Sequence, residues 1–311
     1  MHYGRVLREL LDRDEILTTP GVFDPISARV VEETGLYDAL KLVGSGTIFS
    51  RTGLPDAGLA TMTEIVEHAK NVQEAVDLPV IVDADNGYGN ATNVVRTVIE
   101  FQKTGVAGLH IEDQTFPKRN GDVTGVQVLP IEEARLKMRA AVDTRDQIDE
   151  DFVIIARTDV RRTATGTIED AIHRANAYLE EGVDMVFLKV PETREEAKQA
   201  GREVDGRLMY PCSGTAVRLD PDELEEYGWD VAFYGRMTIH PAILGIRETA
   251  IRFHDEGVAV LEADEEQFHE HYPSVHHLAG MDRIAEIERK YLPAQEQQKY
   301  EGSTGHDIHK A

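Results

Sequence analysis

The chain has 311 residues, of which 41% are hydrophobic, so it can build a substantial core and global disorder is not expected. Acidic residues outnumber basic ones by 57 to 33, which gives a formal net charge of −24 and argues against binding to nucleic acid or to an anionic membrane surface. The single cysteine, Cys212, excludes an internal disulfide framework and indicates a reducing, cytoplasmic compartment.

Hydropathy and charge patterning add two expectations. The apolar runs are short and are bounded by polar residues or glycine, so we expect neither a signal peptide nor a transmembrane helix. The acidic residues are spread along the chain and are not collected in a tail. This distribution favours a solvated acidic surface adapted to high salt over a dock for a basic partner.

Short apolar runs that alternate with amphipathic stretches predict the fold. The eight predicted strands are residues 16–19, 39–43, 79–82, 108–111, 152–156, 185–190, 208–210 and 230–234. Stretches with helical spacing, such as 91–103 and 168–179, lie between them and indicate βαβ units. Eight such units in about 250 residues predict a (β/α)₈ barrel. A doubly wound sheet is the alternative, but the Gly-x-Gly-x-x-Gly that usually follows its first strand is absent from the sequence.

The pattern changes after residue 255. No further strand is predicted there, only helical stretches at 262–271 and 281–291 and a polar tail from Pro293. We therefore divide the chain into a catalytic barrel, residues 1–255, and a C-terminal helical extension, residues 256–311.

Polar side chains follow directly after most of the predicted strands, where enzymes with this fold place their chemistry. In chain order they are Ser45 to Thr47, Asp83 and Asp85, Glu112 and Asp113, Arg157 to Asp159, Lys189, Cys212 and Ser213, and Arg236. Contact of strand ends with water explains one or two such groups. Carboxylates at three strand ends, with an arginine at one of them, indicate an active site.

Asp83, Asp85 and Glu112 are the candidate metal ligands. Hard carboxylate oxygens suit Mg²⁺, or alternatively Mn²⁺, whereas zinc prefers histidine and cysteine. Such an ion chelates a 2-oxo or 2-hydroxy acid and stabilises the enolate that forms when a neighbouring bond breaks. Arg157 suits a substrate carboxylate, and the backbone N–H groups of residues 45–47 suit a second carboxylate or a phosphonate.

At these residues the sequence resembles the isocitrate lyase/phosphoenolpyruvate mutase superfamily. The resemblance covers roughly residues 5–255. Its motifs are Thr19-Pro20-Gly21-Val22-Phe23-Asp24, Gly53-Leu54-Pro55-Asp56, Asp83-Ala84-Asp85-Asn86-Gly87-Tyr88-Gly89-Asn90, His110-Ile111-Glu112-Asp113-Gln114 and Ile155-Ala156-Arg157-Thr158-Asp159.

The resemblance implies a (β/α)₈ barrel whose C-terminal helix is exchanged between subunits of a homotetramer. It also implies Mg²⁺ at Asp85, supported by Asp56, Asp83 and Glu112. The expected binding site for a substrate carboxylate consists of Ser45, Gly46, Thr47 and Arg157.

The loop after the fourth strand departs from the superfamily's lyases, which carry Lys-Lys/Arg-Cys-Gly-His there. This chain keeps Lys118 but has Asn120 at the cysteine position and Asp122 at the histidine position. An amide cannot donate a proton at neutral pH. We therefore predict Asp122 as the replacement acid, with a pKa raised by burial when the loop closes. The phosphonate-handling branch has asparagine at the place of Asn120.

Two further strand ends bear on the substrate. The lyases place a glutamate on the sixth strand, where Lys189 is the nearest match. On the seventh, Tyr210-Pro211-Cys212-Ser213-Gly214-Thr215 resembles a segment of isocitrate lyases that holds a substrate carboxylate by hydroxyls, here those of Ser213 and Thr215. We interpret Cys212 as a small buried residue and not as a reactive thiol.

The leading hypothesis is a Mg²⁺-dependent carbon–carbon lyase that acts on a small di- or tricarboxylate of the isocitrate or methylisocitrate type. A decarboxylase of oxaloacetate or a related acid is the second, because water can protonate its enolate. A phosphonopyruvate mutase or hydrolase is the third. A catalytically dead barrel kept for binding is disfavoured by the intact Asp83, Asp85, Glu112, Lys118 and Arg157.

Overall fold

A computed structural model describes residues 2–189, 191–212 and 214–297. The chain divides into two compact units, Met1–Pro241 and Ala242–Ala311. The division falls at residue 241, whereas the domain boundary predicted from the sequence lies at 255.

The first unit contains eight parallel strands that pair in chain order and close into a barrel, β1 next to β8. They are β1 (Leu17–Val22), β2 (Leu40–Leu42), β3 (Val80–Asp83), β4 (Gly108–Glu112), β5 (Val153–Thr158), β6 (Met185–Leu188), β7 (Leu208–Pro211) and β8 (Val231–Tyr234). All eight predicted strands are present and the predicted (β/α)₈ fold is confirmed, with strand ends that differ from the prediction by at most three residues.

Helices begin and end near the residues that their caps indicate. The helices of the first unit are α1 (Tyr3–Leu11), α2 (Pro25–Glu33), α3 (Gly44–Thr52), α4 (Met62–Ala75), α5 (Ala91–Gln102), α6 (Ile131–Ile148), α7 (Ile168–Leu179), α8 (Arg194–Glu203) and α9 (Pro221–Glu226). Thr61, Asn90 and Thr167 each accept a hydrogen bond from a first-turn N–H of the helix that follows. These caps satisfy donors that an α-helix leaves free at its start.

Two apolar cores hold the barrel. One lies between the strands and the surrounding helices, and the other fills the barrel interior. Leu7, Leu10 and Leu11 of α1 belong to the interior core together with Leu17 and Val231, which stand at the first residues of β1 and β8. The helix α1 therefore covers the amino-terminal end of the barrel and leaves the carboxyl-terminal end for the site.

Because side chains alternate along a strand, the rows of residues that face the barrel interior continue into the site. Ile81, Ile155 and Phe187 lie in the interior core. Residues two positions further along a strand point to the same side, so Asp83, Arg157 and Lys189 follow them at the carboxyl end. The same pleat that builds the interior core thus delivers charged groups to one mouth of the barrel.

The second unit is helical. Its helices are α10 (Ile239–Glu256), α11 (Ala259–His269), α12 (Val275–Leu278), α13 (Met281–Tyr291) and α14 (Ala294–Gln297). The helix predicted at 281–291 is confirmed, and the stretch predicted at 262–271 corresponds to α11. The polar tail beyond residue 297 lies outside the described residues. Over the described part of the chain, no helix combines the length and the apolar character needed to cross a membrane.

Candidate active site

The carboxyl ends of β3, β4 and β5 bring the predicted motifs together. Register pairs Asp83 with His110 across β3 and β4, and Glu112 with Arg157 across β4 and β5. Glu112 is fully buried and Arg157 is 7% exposed. The residues predicted from separate motifs therefore form one buried cluster.

The segment after β3 has an unusual backbone that places Asp85. Asp85 has φ 57° and Tyr88 has φ 60°, both in the left-handed region that favours glycine. Asp85 is held there because its N–H donates to Asp83 Oδ1 at 2.9 Å and its C=O accepts from the Glu112 N–H at 2.9 Å. Strain of this kind persists where the surroundings enforce it, commonly at functional sites.

Lys118 links two of the carboxylates. Its Nζ lies 2.9 Å from Asp56 Oδ1 and 2.7 Å from Asp85 Oδ1. Burial alone would lower the pKa of Lys118, but Asp85, Glu112 and Asp56 raise it well above its usual value. Lys118 is therefore a buried, permanently charged cation. Asp56, which only the family resemblance had suggested, lies within this site.

Arg157 is held from both sides and keeps one donor free. Its guanidinium contacts Glu112 Oε2 at 3.1 Å and Asp159 Oδ1 at 2.8 Å, and it stacks 5.2 Å from the Phe187 ring centroid. Its Nε is buried and has no hydrogen-bond partner. A buried donor without a partner is costly, so this N–H is suited to a substrate carboxylate.

Glu112 and Asp85 are buried carboxylates whose negative charge is only partly balanced by the neighbouring cations of the protein. Burial raises the pKa of Glu112 well above its usual value, although Arg157 and Lys118 oppose it. Burial also raises the pKa of Asp85, against the opposing effect of Lys118. Glu112 Oε1 is buried and has no hydrogen-bond partner. A divalent cation would satisfy these oxygens, so the residues present fit Mg²⁺.

The spacing of these carboxylates refines the predicted ligand set. Among the described residues, Asp83, Asp85 and Glu112 do not form a group whose ligand oxygens all lie within 4.8 Å of one another. Mg²⁺ keeps several of its waters and commonly uses one or two carboxylates directly, so Asp83, Asp85 and Glu112 remain candidates to hold the ion directly or through water.

One tight group of metal-binding residue types does occur in the described part of the chain. His2, Asp149 and Asp151 have ligand atoms within 4.8 Å of one another. Asp149 and Asp151 precede β5, so the group lies at the amino-terminal end of the barrel, opposite the site. His2 is exposed, and Arg5 already pairs with Asp151 at 2.9 Å. We assign this group no function.

The predicted carboxylate cradle at 45–47 lies in the first turn of α3. This helix has no side-chain cap, so the amides of Ser45 and Gly46 have no acceptor within the helix. The Thr47 N–H, however, donates to Val43 O at 2.9 Å, which corrects the expectation that all three amides are free. Thr47 instead offers its Oγ1, which is buried without a hydrogen-bond partner.

The loop of residues 116–122, called loop 4 below, is closed over the site. Asn120 Nδ2 donates to Asp56 Oδ2 at 2.7 Å, and Asn120 Oδ1 accepts from the Asp122 N–H at 2.9 Å. A Cβ at Gly121 would lie 2.8 Å from Asp159 Oδ1 and 2.9 Å from Lys189 Cε. Glycine is therefore needed for the close approach of loop 4 to β5 and β6.

Asp122 does not behave as the predicted acid. Its carboxylate pairs with Lys189 at 3.4 Å and also with Arg236. Burial raises the pKa of Asp122 as expected, but Lys189 and Arg236 outweigh burial and lower it below its usual value. Asp122 thus ties loop 4 to the ends of β6 and β8, and the predicted rise in its pKa is not found, while its role as a proton donor stays a prediction.

Replacing Asp122 with asparagine should loosen loop 4. Asp122→Asn removes the charge that pairs with Lys189 and Arg236, so we expect faster tryptic cleavage after Arg119 and roughly a tenfold rise in KM, since losing one partner of a charge pair costs a few kcal/mol at most. The control is Asp38→Asn, which breaks an exposed pair with Arg13. Unchanged tryptic cleavage in Asp122→Asn would contradict the role of Asp122 in holding loop 4 over the site.

The residues singled out at the end of the seventh strand are Cys212, Ser213 and Thr215. Thr215 is exposed in the turn after β7, next to Gly214, whose backbone lies against the Asp122 carboxylate. Ser213 lies outside the described residues. Cys212 is buried, and burial raises the pKa of its thiol to about 11, which agrees with a packing residue and not a reactive thiol.

Sequence reasoning missed one pair at the site. Lys41 and His110 are buried in the barrel interior, next to Asp83. Burial lowers the pKa of Lys41 to about 7 and that of His110 to about 3. The sequence feature that could have revealed this pair is the charged Lys41 within the apolar run 39–43, because a residue that faces the barrel interior is normally apolar.

The chain matches known proteins over most of its length. The family model for phosphoenolpyruvate phosphomutase matches residues 7–254. The chain is 37% identical to 2,3-dimethylmalate lyase from Eubacterium barkeri, with 94% of this chain and 99% of that protein covered. It is 36% identical to isocitrate lyase from Haloferax volcanii, with 93% and 87% covered.

Solved structures agree with the barrel. A crystal structure of 2,3-dimethylmalate lyase has a TM-score of 0.88 and 29% identity, with 98% of this chain and 99% of that chain covered. Phosphonopyruvate hydrolase, solved with oxalate and Mg²⁺, has a TM-score of 0.82 and 27% identity, with 94% and 100% covered. Both matches extend over nearly the whole chain.

Proposed function

This chain belongs to the phosphoenolpyruvate mutase/isocitrate lyase superfamily, and we propose that it is a Mg²⁺-dependent lyase that cleaves the C2–C3 bond of a small 2-hydroxy di- or tricarboxylate. The observation that carries the proposal is the buried cluster at the mouth of the barrel, where Asp56, Asp85 and Glu112 share the cations Lys118 and Arg157. Its groups suit an acid with two carboxylates.

The chain's own residues account for binding and orientation. The free Nε–H of Arg157 is placed to donate to the carboxylate next to the reacting carbon. The first-turn amides of α3 and the Thr47 hydroxyl are suited to the second carboxylate. Mg²⁺, when held by Asp85 with support from Asp83 and Glu112, supplies chelation of the 2-hydroxy acid and stabilises developing negative charge.

Loop 4 excludes water and completes the site. Lys118 and Asn120 both bind Asp56, so closing the loop places a cation and an amide at the same carboxylate. In the reaction that we propose, the 2-hydroxyl loses its proton and the C2–C3 bond breaks. The products are a 2-oxo acid and a carboxylate enolate, which then takes one proton at carbon.

The replacement of an acid by Asn120 in loop 4 favours a second candidate reaction, the decarboxylation of oxaloacetate or a related 2-oxo acid. Asn120 is no acid, and the pairing of Asp122 with Lys189 and Arg236 disfavours Asp122 as a donor. A decarboxylase tolerates this loss because water can protonate the pyruvate enolate. Among the residues of this site, Asn120 is the one that favours phosphonopyruvate chemistry, and here it donates to Asp56 and accepts from the Asp122 N–H.

A substrate panel tests the proposal. The protein is assayed with Mg²⁺, or with Mn²⁺, on 2,3-dimethylmalate, methylisocitrate, isocitrate, oxaloacetate and phosphonopyruvate, and the release of oxo acid is measured. We expect turnover of at least one of the three 2-hydroxy acids, with oxaloacetate slower or inert. Turnover of oxaloacetate alone would replace the lyase with the decarboxylase, and turnover of phosphonopyruvate alone would replace both.

We further propose that the protein is a homotetramer in which the C-terminal helical unit packs on the barrel of another subunit. In α10 no residue is buried, and Ile243, Leu244, Ile246 and Phe253 are exposed. A groove of about 470 Å³ in this unit is lined by Gly245, Ile246, Thr249, Ala250, Phe253 and Leu261. Apolar surface of this extent is characteristic of an interface.

Assembly and salt response give one prediction. We expect a tetramer in light scattering, smaller species for Ile246→Glu, and a Tm that falls as salt is removed. The acidic groups of a chain with a net charge of −24 repel one another more strongly when salt is removed, because the Debye length grows from about 3 Å at 1 M to about 30 Å at 0.01 M salt. A monomeric wild type would contradict the assembly, and a Tm indifferent to salt would contradict the adaptation to high salt.

A further inference from the structure

A lysine lies where the barrel interior should be apolar. Lys41 stands in the middle of β2 and is fully buried. Its Nζ lies 5.0 Å from the Phe233 ring centroid and 2.8 Å from His110 Nδ1. Burying a charged or polar group costs free energy that an apolar side chain of similar size would not.

His110 continues the contact toward the site. Its ring is 1% exposed and packs edge-on against Phe187, with 5.2 Å between the centroids. Its Nε2 lies 3.0 Å from Asp83 Oδ1. Lys41, His110 and Asp83 thus form a line from the interior core to the metal-supporting carboxylate.

The contact at Nδ1 decides which nitrogen of His110 carries the proton. If Lys41 donates to Nδ1, a neutral imidazole carries its own proton on Nε2. A neutral Lys41 amine that instead accepted from an Nδ1–H would leave Nε2 without a proton. The 2.8 Å contact is therefore assigned with Lys41 as the donor, and the tautomer measurement below tests that assignment.

Asp83 is thereby fixed in one orientation. Its Oδ1 accepts a hydrogen bond from the Asp85 N–H at 2.9 Å and lies 3.0 Å from His110 Nε2. Its Oδ2 turns toward Gly44, where any Cβ would overlap it. One oxygen is therefore occupied by the protein, while the other is held at the mouth of the barrel.

We propose that Lys41 is a positioning residue, which holds His110 in the Nε2–H form and so orients Asp83 to support the cation of the site. The role assigned to Asp83 rests on the proposed function, whereas the tautomer of His110 does not. Lys41 touches neither the cation nor the substrate in this scheme and acts through His110.

The test uses two variants of Lys41 with two readouts. Lys41→Met keeps the length of the side chain but has no donor, and Lys41→Gln keeps a donor without charge. The readouts are the Kd for Mn²⁺ as the probe cation, measured by electron paramagnetic resonance, and the His110 tautomer, measured by ¹⁵N–¹H correlation of the labelled full-length protein. The control is Phe233→Leu, which disturbs packing beside Lys41 but leaves its donor in place.

We expect Lys41→Met to raise the Mn²⁺ Kd roughly tenfold or more, the range seen when groups behind metal ligands are removed, and to move the His110 proton off Nε2. Lys41→Gln should restore the tautomer and most of the affinity. Phe233→Leu should lower Tm and leave both readouts unchanged.

Three results would overturn the inference. They are a wild-type His110 that carries its proton on Nδ1 alone, a Lys41→Met protein that keeps both tautomer and Kd, and a Phe233→Leu protein that loses affinity as Lys41→Met does. If Lys41→Met does not fold, the proposal is tested by the His110 tautomer of the wild type and by the tautomer and Mn²⁺ Kd of Lys41→Gln. A wild type that binds no Mn²⁺ would instead remove the metal from the proposed function, and the tautomer would still judge the positioning of Asp83.

Discussion

Asp85→Asn is expected to lower kcat/KM by at least about 10³-fold, the largest effect of any single change in this site. The substitution removes the oxygen charge that binds the cation, and a lost stabilisation of several kcal/mol corresponds to about tenfold for each 1.4 kcal/mol. Asparagine is chosen because it tolerates the left-handed backbone at φ 57°, whereas alanine would add strain. Initial rates on the best substrate of the panel measure the effect.

The accompanying control is removal of the cation from the wild type. EDTA should abolish turnover, and added Mg²⁺ should restore it, while EDTA should change Asp85→Asn little. The variant's Tm shows whether it is folded. Full turnover of wild type in chelator, or more than a tenth of wild-type activity in folded Asp85→Asn, would contradict a metal-dependent reaction.

Arg157→Lys is expected to lower kcat/KM by about 10²-fold or more, mostly through KM. Lysine keeps the charge but cannot contact Glu112 and Asp159 together and still present a third donor, as the guanidinium does. Truncating a buried, hydrogen-bonded charge pair costs about 2–5 kcal/mol. Steady-state kinetics at saturating Mg²⁺ separate KM from kcat.

Arg161→Lys is the matched control for this prediction. Arg161 lies in the turn after β5, whereas Arg157 lies within β5, and Arg161 pairs with Glu192 and Glu196 at 2.8 and 3.0 Å. These half-buried pairs do not include the carboxylates of the cluster, so kinetics should stay near wild type. Equal losses in both variants would show that Arg157 supports the fold and not the substrate.

The sequence was sufficient for the fold because the barrel repeats a local pattern. Each strand is an apolar run followed by a helix, and several of these helices carry their own cap, as at β3, Asn90 and α5. Repetition over eight units leaves few other ways to bury the strands. The strand ends also located Asp83, Asp85, Glu112 and Arg157, because strand direction alone sends them to one mouth of the barrel.

What the sequence could not supply depends on contacts between distant strands. Asp122 sits among basic residues of its own loop, yet its pKa is lowered by Lys189 of the sixth strand end and Arg236 of the eighth. Asn120 could not be linked to Asp56, 64 positions earlier, before the loop was placed. Lys41 contributes only through its contact with His110. Pairwise distances of this kind are absent from spacing and composition.

The central claim, cleavage of a 2-hydroxy acid through an enolate, is tested most directly by product analysis in D₂O. The wild-type protein is incubated with Mg²⁺ and each 2-hydroxy acid of the panel, and the products are followed by ¹H and ¹³C nuclear magnetic resonance. We predict a 2-oxo acid and, in equal amount, a carboxylic acid carrying one deuterium at the carbon that left C2, with neither product formed in EDTA. Absence of C2–C3 cleavage in all of these acids, with CO₂ released from oxaloacetate or phosphate from phosphonopyruvate in its place, would contradict the account.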